Sequence, residues 1–231
     1  MADNDIKYTM TAPASMLYPT VIEPTAYAPK GSKPKPDATK SYSINFYMDP
    51  EHADVAGMKK SLVDAAKAKW PGLNIGEEIK AGKLKLPFTT GDKMIEKRNK
   101  KLVAAGKDVD DKMDFLKGKV VFKASSTFPI ALGVRVKGQG DIDVTNQNKG
   151  VHKDAYYNGC LGLGAFTYRA YDAIKEDDNP GVKAYLDMVH SLNTGPHHKI
   201  SGRSAADTFK GVAGAAVGED PTAGMEDEIQ F

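Results

Sequence analysis

The chain has 231 residues, 41% of them hydrophobic and 27% charged, with a formal charge of +2. That suits one hydrophobic core of ordinary domain size with tails rather than two clear domains. A single cysteine, Cys160, excludes an internal disulfide framework and fits a reducing cytoplasm, and no apolar run approaches the ~20 residues of a membrane span.

Residues 1–15 carry no basic stretch followed by an apolar core, so they are expected as a disordered N-terminus rather than a secretion signal. "MLYPTVIEPTAYAP" (16–29), interrupted by Pro19, Pro24 and Pro29, reads as an edge strand or a wrapping arm. A Lys/Pro/Gly loop follows at 30–40. "SYSINFYM" (41–48) alternates Tyr42, Ile44, Phe46 and Met48 with Ser43, Asn45 and Tyr47, which is the period of a strand. In 49–70, Val55, Met58, Leu62, Ala65, Ala66 and Trp70 recur at helical spacing, which predicts an amphipathic helix ended by Pro71-Gly72. The stretch 74–117 has an ambiguous period and is expected as a long, partly helical insertion; its lysines from Lys93 to Lys101 read as a solvated face.

Beyond Gly118 the pattern turns to β, with strands expected at 119–129, 130–138, 155–174 and 182–193. With 41–48 these make five strands, and the fold class is mainly β, a small closed barrel carrying one inserted helix and long loops. "GCLGLGA" (159–165) lacks the spacing of a phosphate loop and leads into a strand, so Gly159, Gly162 and Gly164 fit a strand coiling round a barrel corner. Cys160, among apolar neighbours, reads as a buried structural thiol. "SGRSAADTF" suggests Ser204 capping a short helix that seats Phe209.

Catalytic chemistry is hard to find. His190, His197 and His198 with Asp187 have no established metal-ligand spacing, Ser201 and Ser204 lack a nucleophile elbow, and no paired carboxylates stand out. The expectation is therefore a protein that is not an enzyme and uses no cofactor or metal. What recurs instead is aromatic residues interleaved with Lys and Arg. The candidate nucleic-acid-binding residues are Lys33, Lys35, Lys40, Tyr47, Lys119, Phe122, Lys123, Arg135, Lys137, Lys153, Tyr157, Arg169 and Tyr171. In this set the cations would neutralise phosphates, and Tyr47, Phe122, Tyr157 and Tyr171 would stack bases. Tyr156 and Phe166 are expected in the core, whereas Arg169 and Tyr171 share the opposite face of their strand.

The C-terminal segment 211–231 is rich in Gly and Ala and is expected as a flexible acidic tail. Its five acids from Glu219 onward, with no Lys or Arg among them, leave residues 1–218 at +7. A basic body with an acidic end suggests a polyanion-binding surface with a built-in competitor.

The succession "KSYSINFYMDPEHADVAGMKKSLVDAAKAKW", "KVVFKASSTFPIALGVRV", "YYNGCLGLGAFTYRAYD" and "NPGVKAYLDMVHSLNTGPHHKISGRSAADTF", closed by an acidic tail with a terminal Phe, resembles a family of tailed-phage OB-fold single-stranded DNA-binding proteins. The family was long filed as a domain of unknown function. In a looser way the plan resembles the replication single-stranded DNA-binding protein of short-tailed phages, which also ends in acids and Phe. The resemblance spans roughly 16–210 and the last few positions, and "YYNGC" is among its most telling pieces. It implies a five-stranded OB barrel over 16–210 that binds single strands without sequence preference in replication, recombination and repair, in the cytoplasm of an infected bacterium. It also implies a tail whose Glu226, Asp227, Glu228 and Phe231 meet partners such as a polymerase or helicase; an oligomer is possible and no membrane is involved. The insertion at 93–112 and the pair His197-His198 depart from the family pattern. Two other readings stay open: a phage tail or head-completion barrel, and a metal-dependent nuclease using the histidines.

Overall fold

The computed structural model describes residues 5–26, 38–144, 150, 152–173 and 178–200. The acidic tail, the candidates Lys33 and Lys35 and the helix expected at Ser204 lie outside them. In chain order the elements are β1 (Ile6–Thr9), β2 (Ala14–Ala26), β3 (Lys40–Met48), α1 (Ala53–Lys69), α2 (Ile75–Lys80), β4 (Phe88–Thr90), α3 (Gly91–Ala104), β5 (Val120–Ser126), β6 (Ala131–Val136), β7 (Gly140–Asp143), β8 (Leu161–Tyr171) and β9 (Gly181–Ser191), with short 3-10 turns at Asp114–Leu116 and Lys153–Ala155. The architecture is mainly β with few helices.

The strands form one nine-stranded sheet in the order β1-β8-β2-β3-β5-β9-β6-β7, with β4 on β5 and a further pairing of β8 with β9. All pairings are antiparallel except β5–β9 and β6–β9. Because β8 bonds both β2 and β9, the path β2-β3-β5-β9-β8 returns to its start. The edge of β5 opposite β3 is divided: β4 takes Val120 to Phe122, and β9 meets it at Ser125↔Tyr185.

Each of the five expected strands is present: β3 starts one residue early, β9 starts one early and ends two short, β5, β6 and β8 are shortened, and β1, β4 and β7 are additional short ones. One expectation fails. Residues 5–15 are not structureless: β1 pairs with β8, and the turn after it is fastened to α1. The edge expected at 16–29 holds in part: Ala14 and Ser15 pair with β8 and Met16 bonds Cys160, whereas from Leu17 to Ala26 β2 pairs, among the described residues, with β3 alone. Pro19 and Pro24 are tolerated because they fall in the two register shifts, between Leu17 and Thr20 and between Thr20 and Thr25, where the ladder asks for no N–H. In the first shift Tyr18 takes a positive φ of 51°.

The core lies between this sheet and α1, which packs on β1, β8 and β9. Helix α1 buries Val55, Met58, Leu62, Ala65 and Ala66, the stripe expected from its periodicity, and ends at Trp70 before Pro71. Phe46, Phe122 and Phe166 are fully buried and meet edge to face, at centroid separations of 5.9 Å and 4.8 Å. Gly164 is small because a Cβ there would lie 2.4 Å from the Phe166 ring. Asp54, 1% exposed at the start of α1, accepts the N–H groups of Thr11 and Ala12 and the hydroxyls of Thr11 and Tyr8. Burial pushes its carboxyl up, but these bonds outweigh that and hold it below the ordinary aspartate range.

Candidate nucleic-acid interface

Alternation in β8 and β9 decides which side chains leave the core. Phe166 and Tyr168 point inward, and Arg169 and Tyr171 share the other face, as the sequence suggests. On β9, Val182, Ala184 and Leu186 are buried, which turns Lys183, Tyr185 and Asp187 outward. The register sets Arg169 opposite Lys183 and Thr167 opposite Tyr185. Ser125 of β5 lies beside Tyr185, which brings Lys123, two residues earlier on the same face, toward Lys183.

The result is a shallow hollow of about 260 Å³ between β5 and β9, with Lys85, Lys123, Lys183 and Tyr171 on its walls. The segment 85–87 fills part of the gap: Lys85 donates its N–H to Pro180 and accepts from Val182, and Pro87 accepts from Lys123. Lys85 is paired with Asp178, and Arg169 with Asp5 at 2.6 Å. Among the described residues, Lys123 and Lys183 have no carboxylate partner. Burial lowers the Lys183 ammonium below the usual lysine range, and repulsion from Lys123 adds to this. Two unneutralised cations held this close favour an anion between them. Beside them the Tyr185 ring has Lys183 Nζ at 4.6 Å and Arg169 Cζ at 5.4 Å from its centroid. Phe128, in the loop after β5, is 74% exposed and held by Ser126 Oγ, which donates to its carbonyl and accepts its N–H.

The other candidates are dispersed or occupied. Phe122 is fully buried among Phe46, Phe88 and Phe166, so it is a core residue and not a stacking platform. Tyr47 does lie on the outer face of β3, but it is 7% exposed because the turn Asp114–Leu116 covers it: its ring meets Phe115 at 5.2 Å and its hydroxyl bonds His198 Nε2 at 2.8 Å. Periodicity placed the face correctly and could not foresee the cover, whose chain is some seventy residues away. Tyr157 is half-buried, stacks on His197 at 3.7 Å and donates its hydroxyl to Gly195. Lys119 is tied to Asp49 and Arg135 to Asp141. Lys40, Lys137 and Lys153 are exposed. Arg135 and Lys137 lie past the far end of the β6–β9 ladder, roughly 26 Å along β9 from Lys183 at ~3.3 Å per residue. Lys85, Lys183, Tyr185 and Phe128 are the residues that sequence reasoning left out of the site; the i, i+2 spacing of Lys183 and Tyr185 was the available signal.

"YYNGC" proves structural. Tyr156, buried, donates to the Gly133 carbonyl, and burial, with Cys160 and Asp143 nearby, pushes its phenol well up. Asn158 accepts the Tyr18 N–H, Gly159 bonds Met16 at a φ of 94° where a Cβ would strike Pro196, and Cys160 is buried against Ser191. The histidines do not converge: His190 faces Asp141 at 3.3 Å, His197 stacks on Tyr157, and His198 stacks on Phe115 at 3.8 Å, its ring pushed below the ordinary histidine range by burial. Among the described residues no three His, Cys, Asp or Glu side chains form a metal-binding group.

No protein-family model matches the chain, and no curated protein sequence does. Solved structures do. The single-stranded DNA-binding protein from bacteriophage Enc34 in complex with ssDNA is 14% identical at a TM-score of 0.50, over 86% of this chain and 91% of that one. The same phage protein without DNA is 15% identical at a TM-score of 0.50, over 90% and 91%. The bacteriophage T7 single-stranded DNA-binding protein gp2.5 is 12% identical at a TM-score of 0.48, over 90% and 94%. At these identities the first two establish a shared fold, which spans nearly the whole chain.

Proposed function

We propose that this chain is a phage single-stranded DNA-binding protein that coats and protects single strands without sequence preference and performs no catalysis. The observation that carries the reading is the pair Lys123 and Lys183, unneutralised beside Tyr171 and Tyr185 on the outer face of a sheet whose fold is shared with the Enc34 protein. We read the returning path β2-β3-β5-β9-β8 as an OB barrel, with α1 to α3 inserted between its second and third strands. Phosphates settle on the two lysines, and bases compete with the neighbouring cations for the Tyr185 ring and stack on Tyr171 and Phe128, each stacked base contributing ~1–3 kcal/mol. Exposed Lys40, Lys137 and Lys153 extend the positive field along the sheet's borders.

The same reading assigns the protein to replication, recombination and repair in the infected host's cytoplasm. It gives the tail two roles: competitor for the cationic surface, and handle for a polymerase or helicase through Glu226, Asp227, Glu228 and Phe231. Deleting 219–231 should then tighten DNA binding, most at low salt. The primary test is a gel-shift series with labelled single strands at two salt concentrations, with and without Mg²⁺. Retardation that weakens with salt and leaves the oligonucleotide intact supports the proposal. Degradation on adding metal would indicate a nuclease, and large assemblies indifferent to DNA would indicate a phage structural protein; either outcome overturns it.

A further inference from the structure

We infer that a second nucleotide-binding groove lies between α3 and the first irregularity of β2, where it holds a further segment of the single strand; this rests on the function proposed above. The groove has a volume of about 640 Å³. Its apolar floor is Tyr18, Met94 and Met113, and Lys97, Lys101 and Lys107 stand around it.

Three features of the groove lack a structural purpose in the fold itself. Of the fourteen residues of α3, Gly91 is the one that is buried, so the helix contributes little to a core. Lys97 and Lys101 are four apart on that helix, a like-charge spacing that destabilises it. Arg98 is occupied by Asp110, through bonds of 3.1 Å and 2.6 Å, but among the described residues Lys97, Lys101 and Lys107 have no carboxylate partner, and no Asp or Glu lines the groove. An anion would relieve that repulsion.

Tyr18 supplies the second requirement. Its positive φ of 51° is costly for an aromatic residue, and it is kept by a 2.6 Å bond from its N–H to the Asn158 side chain. The residue stays 39% exposed while its hydroxyl rests on Met113 Sδ at 3.7 Å. A strained aromatic presenting a face among unpaired lysines suits a base with its flanking phosphates better than it suits an acidic peptide, which has no planar group to stack.

The test uses the full chain and a long oligothymidylate carrying photoreactive iodouridine. Replacing Lys97, Lys101 and Lys107 by Ala together should lower the slope of log affinity against log salt by about 2, since each phosphate on a single strand contributes ~0.7. A control in which Lys59, Lys60 and Lys67 of α1 become Ala removes the same charge from an exposed face elsewhere and should leave the slope unchanged. Photocrosslinks should map to Tyr18. Tyr18→Asn, which tolerates the left-handed conformation, should abolish that crosslink and weaken binding about tenfold, while Tyr18→Phe retains both. The groove is refuted if its triple variant matches the wild type, if the α1 control matches the groove variant, or if crosslinks form on Tyr171 and Tyr185 but not on Tyr18. Those results would leave the β5–β9 site standing. A wild type that retains no oligonucleotide would remove both.

Discussion

Two kinds of charged residue behave in opposite ways in this protein, and each yields a prediction. Lys123 and Lys183 have no carboxylate partner among the described residues, and they repel each other across β5 and β9. Converting either to Ala should cost the fold almost nothing, weaken single-strand binding several-fold and reduce the salt slope by about 0.7; anisotropy titrations at four salt concentrations would show it. An unchanged slope would exclude them from phosphate contact. Asp54 is the reverse, a buried anion with every bond made. Asp54→Ala leaves the Thr11 and Ala12 donors without an acceptor and should cost about 2–4 kcal/mol. Because its folded pKa is depressed, its stabilisation is complete above the ordinary aspartate value near pH 4 and is lost as the pH falls through the folded one. Asp54→Asn should therefore flatten the acid limb of a stability curve against pH, and a limb of unchanged steepness would contradict this.

Among the elements, the insertion between β3 and β5 depends on contacts too close for a side chain. At Gly91 a Cβ would sit 1.8 Å from the Leu116 carbonyl, so Gly91→Ala must lift the first turn of α3 off the turn that covers Tyr47. A loss of about 1–3 kcal/mol is expected. Gly76 in α2 makes the contrast, because a Cβ there meets nothing nearer than 3.6 Å; Gly76→Ala should stabilise by up to ~1 kcal/mol. Thermal melts that failed to give opposite signs would refute this account. How far the elements were legible follows from where their partners lie in the chain. β3 and α1 declare themselves because alternation and helical spacing are local, and both run nearly where expected. The prolines of β2 did mark a stretch paired on one side, but the two register shifts that accommodate them, against a strand some twenty residues away, were not readable. Tyr47 and Phe122 show the same limit for the site: their strand faces were readable, whereas the 3-10 turn over one ring and the core around the other are tertiary facts.

For the molecule as a whole, the mainly β architecture was legible from period, because it needs no contact map. Which lysines gather was not, since that depends on how β5 and β9 come side by side. Their meeting is slight: a single residue pair, Ser125↔Tyr185, with the strip 85–87 bonded to Lys123 on one side and to Pro180 and Val182 on the other. That strip acts as a splice in a hoop. Unless it is in place, β5 and β9 are held together along this line by little backbone bonding, so the hoop should loosen there before it loosens elsewhere. In native-state hydrogen exchange the amides of Lys85, Lys123 and Val182 should open together at a lower free energy than those within the β3–β5 ladder. Bound polynucleotide spanning Lys123 and Lys183 would then clamp the hoop at its weakest point, and coating a strand and bracing the protein would be one event.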